Sequence, residues 1–510
     1  MSVAGRAGCP VCDVEAKGTA LTWRTAATRK SKPVPCKSLV SWAGTGDITT
    51  TAAAYPHGRM PDPIAALEAT VTGRVIRPAS PEYDDARRTF NALIDRRPAA
   101  IVRCASHDDV AVALAAARDG GFPVGVRGGG HSVAGLSIVE GGIVIDLSEM
   151  RAVSIRAEDR LAHVQGGAQW RDLDAPAFDH DLGVPGGVFG DTGVPGLTLG
   201  GGVGFLMGIG GFTCDNLLGA RVVTGDGTVV EAADDPDLLW ALRGGGGNFG
   251  IVTRFDLGLI PVPPMYGGVA NVPLADGAIL RRWASLMPDA PDAALPMLIL
   301  VRTDDGSTVQ VQYAYAGGAA NGAAFASQLL GEPADRHPGL RPCTYLDIQG
   351  INPIEPFGQR HYWSSTFVAD LTDELVDALV RLSDTIPTDW SGFLIEPIHG
   401  AARRFADDHA AMGNRSSRFH VTAISTWEDP AFDAAGRAWA KDATAEVARW
   451  STGGLYANYA MPDEAVTTEA VDRARAVYPA RTYTRLQAVK ARYDPDNVFR
   501  GNLNIVPPTA

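Results

Sequence analysis

VRGGGHSVAG, residues 126–135, places three consecutive glycines, a histidine and a serine directly after an apolar strand candidate, Pro123 to Val126. Serial glycine N–H groups can wrap a pyrophosphate as an anion nest, and Ser132 can add a hydroxyl donor. Upstream, Ala100 to Cys104 (AIVRC) reads as a short strand. Ser106 then offers an N-cap to an Ala/Val-rich helix from about Asp108 to Arg118, ended by Gly120-Gly121. Downstream, Gly142 to Leu147 and Leu161 to Gln165 read as further strands. Strands that end on bare backbone in this order indicate an α+β or α/β arrangement around a ligand.

Two further glycine clusters extend the pattern. Gly186 to Gly211 holds 12 glycines in 26 residues, and Gly244 to Gly250 adds another run. Between them, Gly225-Asp226-Gly227 separates β-branched residues and predicts a hairpin over 220–231. Asp237 to Arg243 has helical spacing, and Ile251 to Leu257 reads as a strand. Familiar glycine motifs fail on context. No cluster supplies the Lys-Ser/Thr of a Walker A loop. Gly245, Gly247 and Gly250 fit G-x-G-x-x-G, but with a helix before and a strand after, the reverse of a dinucleotide fingerprint. Ala134 stands where a nucleophile elbow needs its second glycine, which argues against Ser132 as a hydrolytic nucleophile. Dense backbone donors therefore point to a dinucleotide held mainly by main chain.

Length and composition bound the rest. A chain of 510 residues suggests two or three folding units. Its net charge of -13, from 45 basic and 58 acidic residues, disfavours nucleic acid or an anionic membrane as partner. No apolar run approaches the roughly 20 residues of a membrane span. Glycine, 58 residues, is about 11% of the chain against a typical 7%, and the excess is clustered. Cys9 and Cys12 form a lone CPVC unit near Cys36, too little for a metal site, so none is expected. Residues 1–59 lack a signal-peptide apolar region and read as a flexible leader, with Met60 a plausible start and a cytoplasmic location.

Five segments in order carry a family resemblance: VRGGGHSVAG (126–135), GLTLGGGVGFL (196–206), CDNLLGARVVTGDG (214–227), LLWALRGGGGNFGIVT (238–253) and YDPDNVFRGNLNI (493–505). Together they resemble the berberine-bridge-enzyme-like FAD-linked oxidases, which have the PCMH/vanillyl-alcohol-oxidase type of FAD-binding fold. The resemblance implies an α+β fold, a two-part PCMH-type FAD-binding domain with an inserted α/β substrate domain on an antiparallel sheet. The expected division is 60–264 for FAD binding (core about 96–264), 265–460 for substrate and 461–510 as the return to the FAD domain.

By the same resemblance His131 is the covalent FAD ligand. Arg127, Gly128, Gly129, Gly130 and Ser132 hold the pyrophosphate. Thr192, Gly193, Gly196, Gly200, Gly201 and Gly204 approach the ring system, Ile251 and Val252 line the adenine side, and Asn502 and Asn504 reach in from the tail. Relatives with a second, cysteinyl bond carry cysteine where this chain has Phe189, so the expected linkage is through His131 alone. Thr192 stands where family oxidases tend to carry Val at a position that tunes oxygen access.

Tyr456-Ala-Asn458-Tyr459 resembles the family's Tyr-x-Asn-aromatic motif. Read as a strand, it turns residues 456 and 458 to one side and 459 to the other. Tyr456 is the first candidate for the catalytic base, Tyr459 the second, and Glu396, His399 and Arg415 lie in a polar stretch open to substrate binding or to ordinary structural roles. The implied reaction is hydride transfer from an alcohol, sugar or amine to flavin N5, with dioxygen as acceptor and hydrogen peroxide as product. Two alternatives stay open: a flavin dehydrogenase with another acceptor, and a nucleotide-binding module without redox chemistry.

Overall fold

The computed structural model describes residues 12–17, 20–25, 63–304, 306–354, 357–406, 408–461 and 468–508. The chain forms two compact units, 1–62 and 63–510. In the first, Cys12–Lys17 and Ala20–Thr25 pair as an antiparallel hairpin. Cys9, Cys36, Met60 and most of the expected leader lie outside the described residues.

In the second unit, Ala100–Arg103, Ile143–Asp146 and Val124–Arg127 form a parallel core, with Arg74–Ile76 antiparallel on the edge beside Ala100–Arg103. Parallel strands are covered on both faces, which is why their sequences are near-continuous apolar runs. The intervening helix is His107–Asp119, and Ser106 caps it by accepting the Asp109 N–H at 3.2 Å. The last of these strands ends at Arg127, and the chain leaves the sheet as Gly128–Ser132.

A five-stranded antiparallel sheet follows, in the order Val229–Glu231, Leu217–Val223, Ile251–Gly258, Leu161–Gln165, Val153–Arg156. The expected Gly-Asp-Gly hairpin closes its edge, with Gly227 at φ +90° and Asp226 accepting the Thr228 N–H at 3.0 Å. The glycine-rich segment before it contains the short helix Val194–Leu199. Some of its glycines sit where backbone packs on backbone. A Cβ on Gly204 would lie 1.8 Å from the Gly186 carbonyl oxygen, and one on Gly129 would lie 2.4 Å from the Gly193 nitrogen.

The third sheet has seven antiparallel strands, ordered Leu340–Cys343, Met265–Pro273, Gly306–Ala316, Ala294–Thr303, Gly392–Pro397, Phe419–Trp427, Arg360–Val368. Leu298, Leu300, Val309 and Val311 join one core with Trp283, Phe325, Leu375, Leu379 and Ala440 from helices on that side. Each large apolar side chain so buried stabilises the fold by roughly 1.5–3 kcal/mol. Side chains alternate along a strand, so Met297, Ile299, Val301, Gln310 and Gln312 face the other way, into a cavity.

The tail is tied down by a buried ion pair. Lys490, with no exposed surface, donates to Asp494 at 2.6 Å and to the Asn248 and Phe499 carbonyls at 2.8 and 2.9 Å. Its three protons thus have three acceptors. Asp494 also accepts the N–H groups of Val498 and Phe499. The end of the chain is thereby held against the 244–250 loop.

Candidate active site

A cavity of about 620 Å³ lies between the glycine loops and the open face of the seven-stranded sheet. One wall is Gly128–Ser132, Thr192, Gly193, Gly196, Gly200 and Gly246–Asn248. The other is Ile299, Gln310, Gln312, His361, Trp363 and Glu396. No backbone N–H from Gly128 to Ser132 donates to a protein acceptor among the described residues. Gly130 takes φ +75°, a conformation few other residues adopt. Successive unspent donors in a tight loop form an anion site.

His131 stands at the end of that loop. Its Nε2 lies 2.9 Å from Asp191 Oδ2, on the opposing glycine segment. Phe90 stacks on the imidazole at 4.9 Å and on His361 at 4.3 Å, and Phe357 meets the His131 ring edge-on at 5.6 Å. Burial alone would raise the Asp191 pKa, but the hydrogen bond from His131, a backbone hydrogen bond and the charge of Arg171 hold it below the usual carboxylate value. Burial pulls His361 down to about 4, so it is neutral near pH 7.

Across the cavity, buried Tyr456, Glu396 and His420 form one cluster with half-buried Tyr459. Glu396 accepts from the Tyr459 hydroxyl at 3.1 Å and lies 3.0 Å from His420 Nδ1. The Tyr456 oxygen accepts the Gly202 N–H at 2.9 Å and Asn458 Nδ2 at 3.0 Å. Burial, reinforced by the charge of Glu396, raises both phenols above their ordinary pKa and keeps them protonated. The strand expectation fails at this motif. Ala457–Tyr459 is a 3₁₀ turn, whose three-residue period brings Tyr456 and Tyr459 to the same side, with ring centroids 4.8 Å apart.

The segment 98–233 matches the family described as FAD binding domain, and 455–506 matches the family described as berberine and berberine like. The (R)-6-hydroxynicotine oxidase of Paenarthrobacter nicotinovorans is 29% identical over 467 residues, covering 86% of this chain and 97% of that protein. The uncharacterized FAD-linked oxidoreductase YgaK of Bacillus subtilis is 28% identical over 456 residues, with the same coverage. The crystal structure of 6-hydroxy-D-nicotine oxidase from Arthrobacter nicotinovorans aligns with a TM-score of 0.77 at 27% identity, covering 88% of this chain and all of that one. The chain thus carries an FAD-binding domain and a berberine-like segment, and its relatives and structural neighbours are FAD-linked oxidoreductases of the PCMH type.

The residues of this oxidoreductase suit FAD. The unspent N–H groups of Gly128–Ser132 match a diphosphate, and the buried Asn502 Oδ1 beside the cavity has no partner among the described residues. Most expected cofactor residues line the cavity: Gly128, Gly129, Gly130, His131, Ser132, Thr192, Gly193, Gly196, Gly200, Ile251, Val252 and Asn502. Four of them do not line it. The Arg127 guanidinium turns inward to the Ala86 carbonyl and lies 3.9 Å from Asp146. Gly201 packs on Met412 and Tyr456, Gly204 packs on Gly186, and Asn504 is buried off the wall.

Of the polar stretch, Glu396 lines the cavity, whereas Arg415 pairs with buried Asp215 at 2.5 Å and His399 is buried beside Gly208. Sequence reading missed Asp191, His361, Trp363, His420, Gln310 and Gln312. Polar residues alternating with β-branched ones, as in Val309-Gln310-Val311-Gln312, were the available signal. A fully covered strand would not carry them.

Proposed function

We propose that the enzyme holds FAD in this cavity, bonded to His131 alone, and oxidises a small alcohol, sugar or amine with dioxygen as acceptor, releasing hydrogen peroxide. The observation that carries the reading is the pairing of five consecutive unspent N–H groups with a buried tyrosine–glutamate–histidine cluster across one cavity. The division into 60–264, 265–460 and 461–510 follows it, with cofactor on the glycine side and substrate on the sheet side. Phe189, on the cavity wall where relatives place a second cysteinyl bond, leaves no thiol for one.

When bound, FAD supplies the hydride acceptor. The protein's own groups orient substrate and move its proton. Tyr459 gives its hydrogen to Glu396, which leaves oxygen lone pairs free to take the proton of a substrate O–H or N–H. The phenolic proton then passes to Glu396, beside His420, and no free phenolate forms. The Tyr456 oxygen already accepts two hydrogen bonds, so its remaining capacity is to donate, and it holds the substrate heteroatom in place. No Lys or Arg lines the cavity among the described residues, while Glu396 and Asp389 do. That polarity favours neutral or cationic substrates over carboxylates and phosphates.

A panel of neutral polyols, alcohols and cyclic amines, followed by peroxide release, tests the reading. A member of the panel that bleaches the flavin anaerobically, with fast recolouring on mixing with oxygen, is the expected result. Bleaching without reaction with oxygen indicates a different acceptor, and a colourless purified protein removes the redox reading altogether.

A further inference from the structure

His131 and Asp191 stand on different glycine segments whose backbones touch at Gly129 and Gly193. That contact sets the 2.9 Å distance from Nε2 to Oδ2. We infer that Asp191 is a positioning residue for cofactor attachment: it keeps the His131 proton on Nε2 and leaves Nδ1 as the atom that bonds the flavin. This rests on the covalent reading above and adds to it the residue that prepares the imidazole.

An ionised carboxylate can only accept, so Nε2 must be the donor, and a neutral imidazole then carries its lone pair on Nδ1. Asp191 stays ionised because the hydrogen bond from His131, a backbone hydrogen bond and the charge of Arg171 oppose its burial. The ring cannot readily turn to exchange the two nitrogens. Phe90 lies on one face with an interplanar angle of 19°, and Phe357 meets it at 76°. Nδ1 makes no hydrogen bond among the described residues, and His131 is on the cavity wall. The second carboxylate oxygen, Oδ1, is buried with no partner among them. A carboxylate that fixes a histidine tautomer and steadies the positive charge developing on its ring prepares the far nitrogen as a nucleophile.

The attachment balances as follows. Nδ1 forms a bond to the 8α carbon and one C–H bond of that carbon breaks. One proton leaves the carbon, and the ring keeps its Nε2 proton as an imidazolium paired with the Asp191 carboxylate. The two electrons of the broken bond, with the carbon's proton and one from solvent, convert one dioxygen to one hydrogen peroxide.

The test uses full-length wild type, His131→Ala, Asp191→Ala and Asp191→Asn, each produced under flavin limitation and then incubated with FAD. Total bound flavin is read from the native spectrum and attached flavin from the acid precipitate. The expected result is acid-stable flavin in wild type, none in His131→Ala, and attachment slowed by roughly tenfold or more in both Asp191 variants. In those variants the bound flavin stays in the cavity but is released by acid, which a merely unfolded variant would not show. Attachment at the wild-type rate in either Asp191 variant that binds flavin overturns the role of Asp191 and leaves the covalent reading standing. Acid-releasable flavin in wild type overturns the covalent reading itself, and the role of Asp191 with it.

Discussion

The two walls of the cavity are built on opposite principles. The glycine wall offers main-chain donors from runs of residues adjacent in sequence, and at Gly129 and Gly193 packed backbones leave no room for a side chain. The sheet wall offers single side chains, such as Gln310, His361 and Glu396, from strands far apart in the chain. A ligand common to a family can be held by backbone, which mutation cannot easily alter. A substrate that varies between relatives calls for side chains that can be exchanged one at a time without disturbing the fold.

The sharpest way to break this contrast is to put a side chain where the backbones touch. Gly129→Val drives a Cβ into the Gly193 backbone nitrogen, and the expected outcome is a loss of more than about 4 kcal/mol, seen as little soluble, flavin-containing protein. Gln310→Ala, on the other wall, is expected to leave flavin content unchanged and cost no more than about 1 kcal/mol in thermal unfolding, with its effect confined to KM.

Glu396→Gln keeps the shape of the cluster and removes its charge. Flavin reduction by substrate should slow by about 100-fold or more, with unchanged flavin content. Normal reduction kinetics would exclude the Tyr459–Glu396 route. The two tyrosines separate next. Tyr459→Phe should approach the Glu396→Gln loss, whereas Tyr456→Phe should slow reduction only about tenfold and keep the flavin attached. Bleaching at the wild-type rate in Tyr456→Phe removes that residue from the reaction. Since burial and Glu396 raise both phenols, the kcat/KM profile should show no tyrosine limb below about pH 10.

The smallest effect lies at the seam between the walls. Asp174 accepts from Gln349 at 2.8 Å and from Tyr345, and burial pushes its pKa up to about 7. A carboxyl raised in the folded state binds its proton more tightly there than when unfolded. The stability it confers is therefore full at low pH and is lost as pH rises through about 7. From about pH 6 to about pH 8 the wild type should lose roughly 1 kcal/mol relative to Asp174→Asn. Parallel unfolding curves for the two proteins at both pH values would contradict the assignment.

The same contrast explains how much could be read from sequence. The strands around 100, 124 and 143, the Ser106-capped helix and the Gly-Asp-Gly hairpin were legible because each is specified by neighbours in the chain. The glycine wall was legible because a backbone requirement selects one residue type in runs. Motif membership does not say whether a residue faces a ligand or a neighbouring segment, and Arg127, Gly201, Gly204 and Asn504 lie off the cavity wall. The Tyr456–Tyr459 side assignment failed because a three-residue turn and a strand differ in period, and four residues are too few to tell them apart. Asp191 and His420 went unseen for a different reason: their partners, His131 and Glu396, are 60 and 24 residues away.

The central claim is that one imidazole on the glycine wall carries the cofactor. Digestion of the denatured protein with trypsin, followed by mass spectrometry of every yellow peptide, tests it directly. The account predicts one flavin-bearing peptide, Gly128 to Arg151, modified at His131. Flavin on any other peptide, or on none, would contradict it.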